Sequence, residues 1–418
     1  MASGTRKHLL IVATTTGYQL KMFGEAALRL GAEVSLATDR CHVLEDPWGD
    51  HAIPVRFDAP EESAAALAQG RSFHAIVAIG DRPAHVAALA AQRLNVPFHR
   101  AEAVAAAINK FASRECFRKA GLPTPEYSRI HVDEESRAAA NQAAYPCVLK
   151  PLGLSTSRGV IRADDPQEFI AAFARIRKLL KIPSIARLKD PALDYIQVES
   201  FIPGCEFALE GLVTDGRLQM LALFDKPEPL DGPFFQETIY VSPSRQPLGA
   251  KEAIYNTAQR AVTALGLQQG PVHAEMRFDG ERVWMLEVAP RPIGGLCAKA
   301  LAFENGAPLE EVIVRHALGE DVSDARRRTE AAGVMMIPVP RAGIYRSVRG
   351  MEDAEAIADE VIVTAKEGQR VLPLPEGNTY MGFLFSYGET ALSVEERLHR
   401  AHHALQFEIA EMLPVLRR

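Results

Sequence analysis

The segment PVHAEMRFDGERVWMLEVAPRPIGG, residues 271–295, decides how this 418-residue sequence is interpreted. Apolar and polar residues alternate from Val272 to Phe278 and again from Val283 to Ala289, and the pair Asp279-Gly280 lies between the two runs. Alternation with a period of two on either side of an Asp-Gly pair is typical of a β-hairpin with one apolar and one polar face. We therefore predict that the segment forms such a hairpin.

The carboxylates Glu275 and Glu287 are predicted to share the polar face of this hairpin, one on each strand. Neighbouring carboxylates repel each other unless a cation joins them, and Mg²⁺ is a cation that prefers oxygen ligands and accompanies ATP phosphates. Arg291 follows, and the run Pro292–Gly295 lets the backbone approach a ligand closely. A surface hairpin with two solvated glutamates accounts for the same residues. Other segments of the chain are therefore needed to distinguish a magnesium site from such a surface hairpin.

The strings H-x-E at 273–275 and E-V-A-P-R-P-x-G-G at 287–295 resemble the metal-binding and catalytic hairpin of the ATP-grasp superfamily. Within it they resemble carboxylate–amine ligases such as bacterial L-amino acid ligases and carnosine synthase. The resemblance implies that Glu275 and Glu287 bind magnesium and take part in catalysis. It also implies that Arg291 binds substrate and stabilises the transition state, next to Gly294 and Gly295. For His273, a role as base or metal-shell residue and a purely structural role are equally compatible with the sequence.

Two further segments resemble the parts of the superfamily that bind ATP phosphates. NKFASRECFRKAGLPTP, residues 109–125, resembles the entry helix, which makes Lys110 a phosphate ligand. The strand ending in Lys150 and the loop GLSTSRG at 153–159 resemble the hairpin that covers the phosphates, and the loop residues implied are Ser155, Thr156 and Ser157. A solvated lysine at 110 and a flexible linker at 153–159 are the structural alternatives. The loop has no Walker A lysine and is therefore not a P-loop.

Residues 195–206, YIQVESFIPGCE, resemble the adenine hinge of the superfamily. The resemblance assigns Glu199, Phe201 and Ile202 to the adenine edge and Glu206 to the ribose hydroxyls. It also brings Lys226, at the end of an antiparallel meander, close to the nucleotide.

The Pro- and Gly-rich stretch 227–249 is predicted to be a functional loop, because long aperiodic segments seldom serve only as connectors. Its Glu237 and Tyr240 match the substrate-side segment of the ligases, although many of them carry His where this chain carries Tyr240. The aromatic residues Phe234, Phe235 and Tyr240 are suited equally to lining an apolar substrate pocket and to packing the loop.

The predicted fold class is α/β, an ATP-grasp fold with three parts. Alternating strands and Ala-rich helices in residues 1–108 predict a doubly wound, Rossmann-like domain, whose loops at Thr14–Gly17 and Gly80–Arg82 are candidates for substrate contact. Residues 109–320 form the central ATP-binding domain, and residues 321–418 form a C-terminal lobe with a final helix from Ser393. No G-x-G-x-x-G fingerprint is present, so no nicotinamide site is predicted.

Composition restricts the partners of the protein. The formal net charge is −6 with dispersed Lys and Arg, which argues against nucleic acid or an anionic membrane as partner. The five cysteines show no C-x-x-C spacing, and no apolar run is long enough for a membrane span or signal peptide. We therefore expect a cytoplasmic protein that acts on small molecules, and homodimers are common among relatives.

The resemblance implies an ATP-dependent ligase that joins a carboxylate, expected to be an amino acid, to an amine, expected to be a second amino acid. The reaction passes through an acyl-phosphate and releases ADP and phosphate, with ATP and Mg²⁺, or Mn²⁺ in its place, as cofactors. The alternatives are another ATP-grasp chemistry, namely formate-dependent purine-pathway transfer or biotin-carboxylase-like carboxylation, and a non-catalytic ATP-binding protein. The identity of the two substrates is not encoded in motif spacing.

Overall fold

The first part of the chain is a parallel sheet with helices packed on it. The computed structural model describes residues 6–14, 18–39 and 52–412. Its first strands are β1 (His8–Ala13), β2 (Glu33–Thr38), β3 (Ala52–Pro54) and β4 (Ala75–Ile79), which pair in parallel in the order β3-β2-β1-β4. The helices are α1 (Tyr18–Arg29), α2 (Pro60–Ala68) and α3 (Asp81–Leu94). Residues Leu9–Val12 are fully buried, as expected for a central parallel strand covered on both faces. Of the loop predicted at Thr14–Gly17, residues 15–17 lie outside the described residues.

A second, antiparallel sheet follows two linking helices, α4 (Ala101–Ile108) and α5 (Lys110–Lys119). Its strands are β5 (Tyr127–His131), β6 (Cys147–Pro151), β7 (Ile161–Ala163) and β8 (Tyr195–Ser200), in the order β5-β8-β6-β7. Its helices are α6 (Ser136–Ala140), α7 (Pro166–Leu180) and α8 (Pro183–Ala186), and a 3₁₀ turn spans Pro191–Asp194. Buried apolar side chains of α7, including Phe169 and Phe173, cover one face of this sheet.

The third part of the fold is an eight-stranded sheet with a small sheet beside it. The strands are β9 (Cys205–Thr214), β10 (Arg217–Lys226), β11 (Ile239–Ser242), β12 (Gly270–Phe278), β13 (Val283–Ala289), β14 (Ala331–Ile337), β15 (Gly343–Arg349), β16 (Glu360–Val363), β17 (Arg370–Val371), β18 (Gly382–Gly388) and β19 (Gln406–Ala410). The helices are α9 (Leu248–Leu265), α10 (Leu309–Ala317), α11 (Met351–Glu355) and α12 (Ala391–Ala404), with a 3₁₀ turn at Cys297–Ala300. The larger sheet has the order β13-β12-β9-β10-β11-β14-β18-β16, and the smaller has the order β17-β15-β19.

The C-terminal part of the chain completes the large sheet, because β14, β16 and β18 extend it beyond β11. The final helix begins at Ala391, two residues earlier than predicted, since the Thr390 side chain caps it by accepting the Ser393 N–H. The predicted boundaries at 108/109 and 320/321 remain predictions. None of the helices formed by the described residues has the length and apolar composition of a membrane span.

Candidate active site

The hairpin β12–β13 brings Glu275 and Glu287 directly opposite each other. A β-bulge makes this pairing: Met276 pairs with Met285 and Glu275 pairs with Glu287, so that Leu286 is an extra residue on β13. A bulge of this kind lets two consecutive side chains face the same way, and Leu286 and Glu287 both line the same cleft. The predicted sharing of a face is therefore correct.

The predicted details of the turn and of the second strand were incomplete. The loop has four residues, 279–282, because Phe278 pairs with Val283, and the Asp279 carboxylate accepts hydrogen bonds from the N–H groups of Glu281 (2.9 Å) and Arg282 (2.7 Å). Without the bulge, this register would place Leu286 opposite Glu275. Strict alternation from Val283 to Ala289 was thus wrong, and the bulge restores the pairing of the carboxylates.

The predicted site residues lie in one cleft, between the antiparallel four-stranded sheet (β5-β8-β6-β7) and the eight-stranded sheet. All the predicted site residues except Lys226 line it, namely Lys110, Lys150, Ser155, Thr156, Ser157, Glu199, Phe201, Ile202, Glu206, Glu237, Tyr240, His273, Glu275, Glu287, Arg291, Gly294 and Gly295. These residues are spread over nearly 200 positions of the sequence, from 110 to 295. The fold therefore converts a set of separate motifs into one surface.

Lys110 lies at the first position of α5, where the Asn109 side chain caps the helix by accepting the N–H groups of Phe111 and Ala112. Its ammonium group donates to the carbonyl of Leu154 at 2.6 Å and lies 3.8 Å from Glu287 Oε2. The lysine therefore connects the loop 153–159 with the carboxylate hairpin.

Lys150 belongs to a buried ion network that joins three elements. Its Nζ lies 2.5 Å from Glu199 Oε2, and Arg114 Nε lies 2.6 Å from Glu199 Oε1. Burial lowers the pKa of Lys150 to about 8, although the Glu199 charge opposes this shift. Burial would raise the pKa of Glu199, but Arg114 and Lys150 outweigh it and lower that pKa to about 2. Because both Glu199 oxygens are engaged, its carboxylate holds Lys150 in place in this structure.

An acidic cluster surrounds the Lys226 ammonium group. Carboxylate oxygens of Glu206, Glu237 and Glu275 lie 2.8, 3.0 and 2.8 Å from Lys226 Nζ, and one oxygen from each carboxylate lies within 4.8 Å of the others. Tyr240 donates to Glu237 Oε2 at 2.6 Å. Burial opposes a charged ammonium group, yet the three carboxylates raise the pKa of Lys226 well above its ordinary value. Lys226 is therefore an internal cation beneath the cleft.

The carboxylates that face the cleft retain free ligand atoms for a cation. Lys226, Tyr240 and His273 all contact Oε1 of Glu275, and Oε2 has no hydrogen-bond partner in the described part of the chain. Glu287 accepts no hydrogen bond from the described residues; its charged neighbours are Lys110, 3.8 Å away, and Arg291. Two carboxylate groups with unused oxygens on neighbouring strands fit the hard-oxygen preference of Mg²⁺.

His273 lies between two carboxylates on the floor of the cleft. Its Nδ1 is hydrogen-bonded to the buried Glu210, and its Nε2 lies 3.3 Å from Glu275 Oε1. Burial would lower the pKa of His273, but Glu210 and then Glu275 raise it to about 9. A histidine with this pKa is protonated at neutral pH, which favours the structural alternative over a general base.

The segment from Arg291 to Gly295 forms one wall of the cleft. Burial would lower the pKa of Arg291, but the neighbouring Asp81 and Glu287 carboxylates raise it, so the guanidinium keeps its charge. Gly295 has a φ of +64°, and a Cβ atom there would lie 2.9 Å from the Phe383 ring. Glycine is thus required at this position for both backbone and packing reasons.

The prediction of a loop over 227–249 was right only in part, because β11 and the start of α9 lie within it. Of its three aromatic residues, Phe234 and Phe235 precede β11 and Tyr240 lies on it. Phe235 and Tyr240 line the cleft. Phe234 packs against the core of the antiparallel four-stranded sheet, and the Arg175 guanidinium lies 4.9 Å from the centre of the Phe234 ring. Phe234 thus packs the segment against a sheet, whereas for Phe235 and Tyr240 contact with a substrate stays a prediction.

Comparisons with known proteins match two parts of the chain. The family model of the ATP-grasp domain matches residues 143–300, and that of the L-amino acid ligase C-terminal domain 2 matches residues 335–410. The chain therefore contains an ATP-grasp domain. The first of these matches contains the strands from β6 to β13, and the second contains β16, β18 and the last three residues of β14.

Relatives of known structure and sequence place this ATP-grasp chain near ligases. The L-amino acid ligase from Bacillus licheniformis superposes with a TM-score of 0.78 at 25% sequence identity, covering 97% of this chain and 99% of that one. The alanine–anticapsin ligase of Bacillus subtilis strain 168 is 29% identical over 204 residues, which is 46% of this chain and 42% of that enzyme. The formate-dependent phosphoribosylglycinamide formyltransferase of Cupriavidus metallidurans is 28% identical over 304 residues, 67% of this chain and 66% of that enzyme. This chain thus spans less than half the length of the alanine–anticapsin ligase.

Several residues in or next to this cleft were not predicted from the sequence. They are Arg114, Glu210, Arg277, Met336 and Tyr380. Arg277 is buried, donates to Glu206 (3.2 Å) and to the carbonyl of Ile202 (2.5 Å), and so connects the hinge with the acidic cluster. Its position on the polar side of β12, two residues after Glu275, was the available signal. Tyr380 comes from a distant segment and gave no signal in the sequence. Asp81 belongs to the loop Gly80–Arg82, which was predicted as a candidate for substrate contact, and in the structure its carboxylate accepts a hydrogen bond from Arg291.

Proposed function

We propose that this protein is an ATP-dependent ligase that joins the carboxylate of one amino acid to the amine of a second. The observation that carries the proposal is that one cleft contains Lys110 and Lys150, the lysines expected to bind ATP phosphates. The Glu275–Glu287 pair and Arg291 line the same cleft. The match to the L-amino acid ligase C-terminal domain and the similarity to the Bacillus licheniformis L-amino acid ligase support the choice among ATP-grasp reactions.

The roles of the residues follow from their charge. Glu275 and Glu287 would hold Mg²⁺, which when bound neutralises phosphate charge during transfer of the γ-phosphoryl group to the substrate carboxylate. Lys110 and Lys150 would balance the remaining phosphate charge, and Arg291 would donate to the acyl-phosphate and to the oxyanion that forms when the amine attacks. The products are the amide, ADP and phosphate.

An apolar region of the cleft is suited to a substrate side chain. Tyr240, Ile293, Cys297, Met336 and Tyr380 belong to one hydrophobic cluster, and all five line the cleft near Glu237. We therefore expect at least one of the two amino acids to carry an apolar side chain, because a charged group there would lose its hydration without gaining a partner.

The test is phosphate release from Mg·ATP against a matrix of amino-acid pairs, with ADP and AMP separated and products identified by mass. ADP and phosphate that appear only with particular pairs, together with a mass equal to their sum less water, would establish the ligase. AMP as product would exclude the acyl-phosphate route. ATP binding without turnover over the whole matrix would favour a non-catalytic ATP-binding protein.

Arg291→Ala tests the central assignment. We expect the variant to bind ATP with nearly normal affinity and to lose turnover, because its donors act on the acyl group rather than on adenine or ribose. Arg282→Ala, in the exposed loop of the same hairpin, is the matched control and should behave like wild type. Normal turnover of Arg291→Ala would contradict the proposed mechanism.

Formate-dependent transfer to a purine precursor is the second candidate, because the alignment with the formyltransferase relative covers 67% of this chain and 66% of that enzyme. Formate with phosphoribosylglycinamide is therefore included in the substrate matrix. ADP formation with this pair, and with no amino-acid pair, would replace the first proposal by the second.

A further inference from the structure

The Arg291 side chain is held by a residue of the N-terminal domain. Asp81 is the first residue of α3, directly after β4, and its Oδ1 accepts a hydrogen bond from Arg291 Nε at 2.8 Å. Arg291 Nη1 donates to the carbonyl of Pro292 at 3.1 Å, and Nη2 has no hydrogen-bond partner within the described residues. The Nε edge of the planar guanidinium is thus fixed, and the remaining donors are left for the cleft that Arg291 lines.

A second N-terminal side chain fixes the backbone next to Arg291. Gln19 of α1 donates from Nε2 to the carbonyl of Ile293 at 3.0 Å. The N–H of Ile293 donates to Glu210 Oε2 at 3.1 Å. Both backbone groups of Ile293 are therefore held, one by the N-terminal domain and one by the eight-stranded sheet.

Asp81 acts on the site without lining it. It lies outside the set of residues that surround the main cleft and borders an adjoining recess together with Lys110 and Glu287. Arg291 and Asp81 side chains are 14% and 23% exposed, so their ion pair is partly shielded from water. An arginine held at one edge loses less freedom when its other donors bind a transition state.

We propose that Asp81 is a positioning residue that orients Arg291 for the ligase reaction, so that the N-terminal domain is part of the active site. This inference rests on the proposed function, because it concerns the role of Arg291 in that reaction. The contact joins residues 210 positions apart in the sequence, which makes activity depend on the docking of the N-terminal domain against the hairpin.

The main variant is Asp81→Ala, with Glu61→Ala as matched control. Glu61 is also an acidic residue in the first turn of an N-terminal helix and also pairs with an arginine, Arg93, but away from the cleft. We expect Asp81→Ala to lower kcat about 10- to 100-fold, the range for losing a charged hydrogen bond, and to change KM for ATP less than about two-fold. Glu61→Ala should retain wild-type kinetics. Asp81→Asn keeps an acceptor oxygen and should fall between wild type and Asp81→Ala; it also serves if Asp81→Ala does not fold.

A double-mutant cycle separates positioning from a merely structural role. Arg291→Lys removes the Nε donor, so adding Asp81→Ala to it should cause no further loss of kcat. Additive losses, or a rise in KM for the amine substrate alone, would mean that Asp81 acts on something other than Arg291 and would overturn the inference. Wild-type kinetics in both Asp81 variants would overturn it as well, while leaving the proposed function intact. A wild-type chain that is silent with every amino-acid pair would contradict the proposed function and this role of Asp81 together.

Discussion

His273 shows how charge and burial at one residue define its role. It is almost fully buried and lies between Glu210 and Glu275. Replacing it with Asn leaves the buried Glu210 carboxylate without its cationic partner, which typically costs about 3 kcal/mol or more. We predict that His273→Asn lowers the midpoint of thermal unfolding by several degrees, as measured by scanning fluorimetry.

His399→Asn is the control for that experiment. His399 is more than a third exposed in its side chain, and its carboxylate neighbour, Glu228, is 3.9 Å away. This variant should unfold at nearly the wild-type temperature. Equal midpoints for His273→Asn and wild type would show that the buried pair contributes no net stability.

Lys150 gives the site a pH dependence of definite sign. Its ammonium group is charged below a pKa of about 8, which burial lowers from the ordinary value of 10.5. As the pH rises through about 8, the free enzyme loses this charge, so kcat/KM for ATP should be constant below pH 7 and fall about tenfold per pH unit well above the pKa. Because arginine stays charged, Lys150→Arg should lack this decline. An unchanged decline in Lys150→Arg would assign the titration to another group.

The sequence identified those residues that belong to local motifs. Lys110 and Lys150 were predicted from the resemblance of their segments to the ATP-grasp superfamily, and the shared face of Glu275 and Glu287 was predicted from strand alternation. Glu210 was not predicted, and for Asp81 the sequence indicated only a loop suited to substrate contact, because the contacts of Glu210 with His273 and of Asp81 with Arg291 arise only when distant elements pack together. For Glu275 and Glu287 the face was right, but the bulge that produces their pairing depends on three-dimensional register and is not encoded in alternation alone.

At the scale of elements, Glu376 of the C-terminal part contacts α7 and lies next to the loop 153–159, which is expected to cover the ATP phosphates. Glu376 accepts hydrogen bonds from Arg175 Nε (2.6 Å) and Nη2 (2.9 Å). Next to it, the Gly159 N–H donates to the carbonyl of Pro375 at 2.9 Å, and Arg158 Nε donates to the carbonyl of Glu376 at 2.9 Å. The loop 153–159 is thus tied to an element more than 200 residues away in sequence.

Glu376→Ala tests this tie. The Arg175–Glu376 pair is partly exposed, so its loss should raise KM for ATP only about two- to five-fold, in line with about 0.5–1 kcal/mol for such pairs. Amide hydrogen exchange in 153–159 should become faster. Glu408→Ala removes an exposed carboxylate of the small sheet and should change neither quantity. Unchanged exchange in Glu376→Ala would show that the backbone contacts alone hold the loop.

At the scale of the whole molecule, three sheets contribute to one site. The antiparallel four-stranded sheet supplies Lys150 and the loop 153–159, and the large sheet supplies Glu275 and Glu287. Helix α3, which follows the last strand of the N-terminal sheet, supplies Asp81 beside Arg291. The order of motifs along the chain was sufficient to predict the ATP-grasp fold. The relative placement of the sheets was not, because it depends on contacts between residues that the sequence does not mark as partners.

This arrangement predicts that ATP stabilises the whole protein only when a divalent cation is present. The cleft is lined by five glutamates, Glu199, Glu206, Glu237, Glu275 and Glu287, and ATP adds further negative charge. Lys226, Arg114 and Arg277 already pair with the carboxylates of the hinge and the acidic cluster. Glu287 makes no hydrogen bond with the described residues, although Lys110 and Arg291 lie near it. At about 100 times its Kd, Mg·ATP should stabilise the folded state by about 2.7 kcal/mol, and EDTA should abolish most of that gain.

Glu287→Gln should reduce the effect of Mg²⁺ while increasing the stabilisation by ATP alone, and Glu281→Gln, in the exposed hairpin loop, should behave like wild type. Equal stabilisation by ATP with Mg²⁺ and with EDTA would show that the protein's own cations suffice and that the Glu275–Glu287 pair has a role other than metal binding.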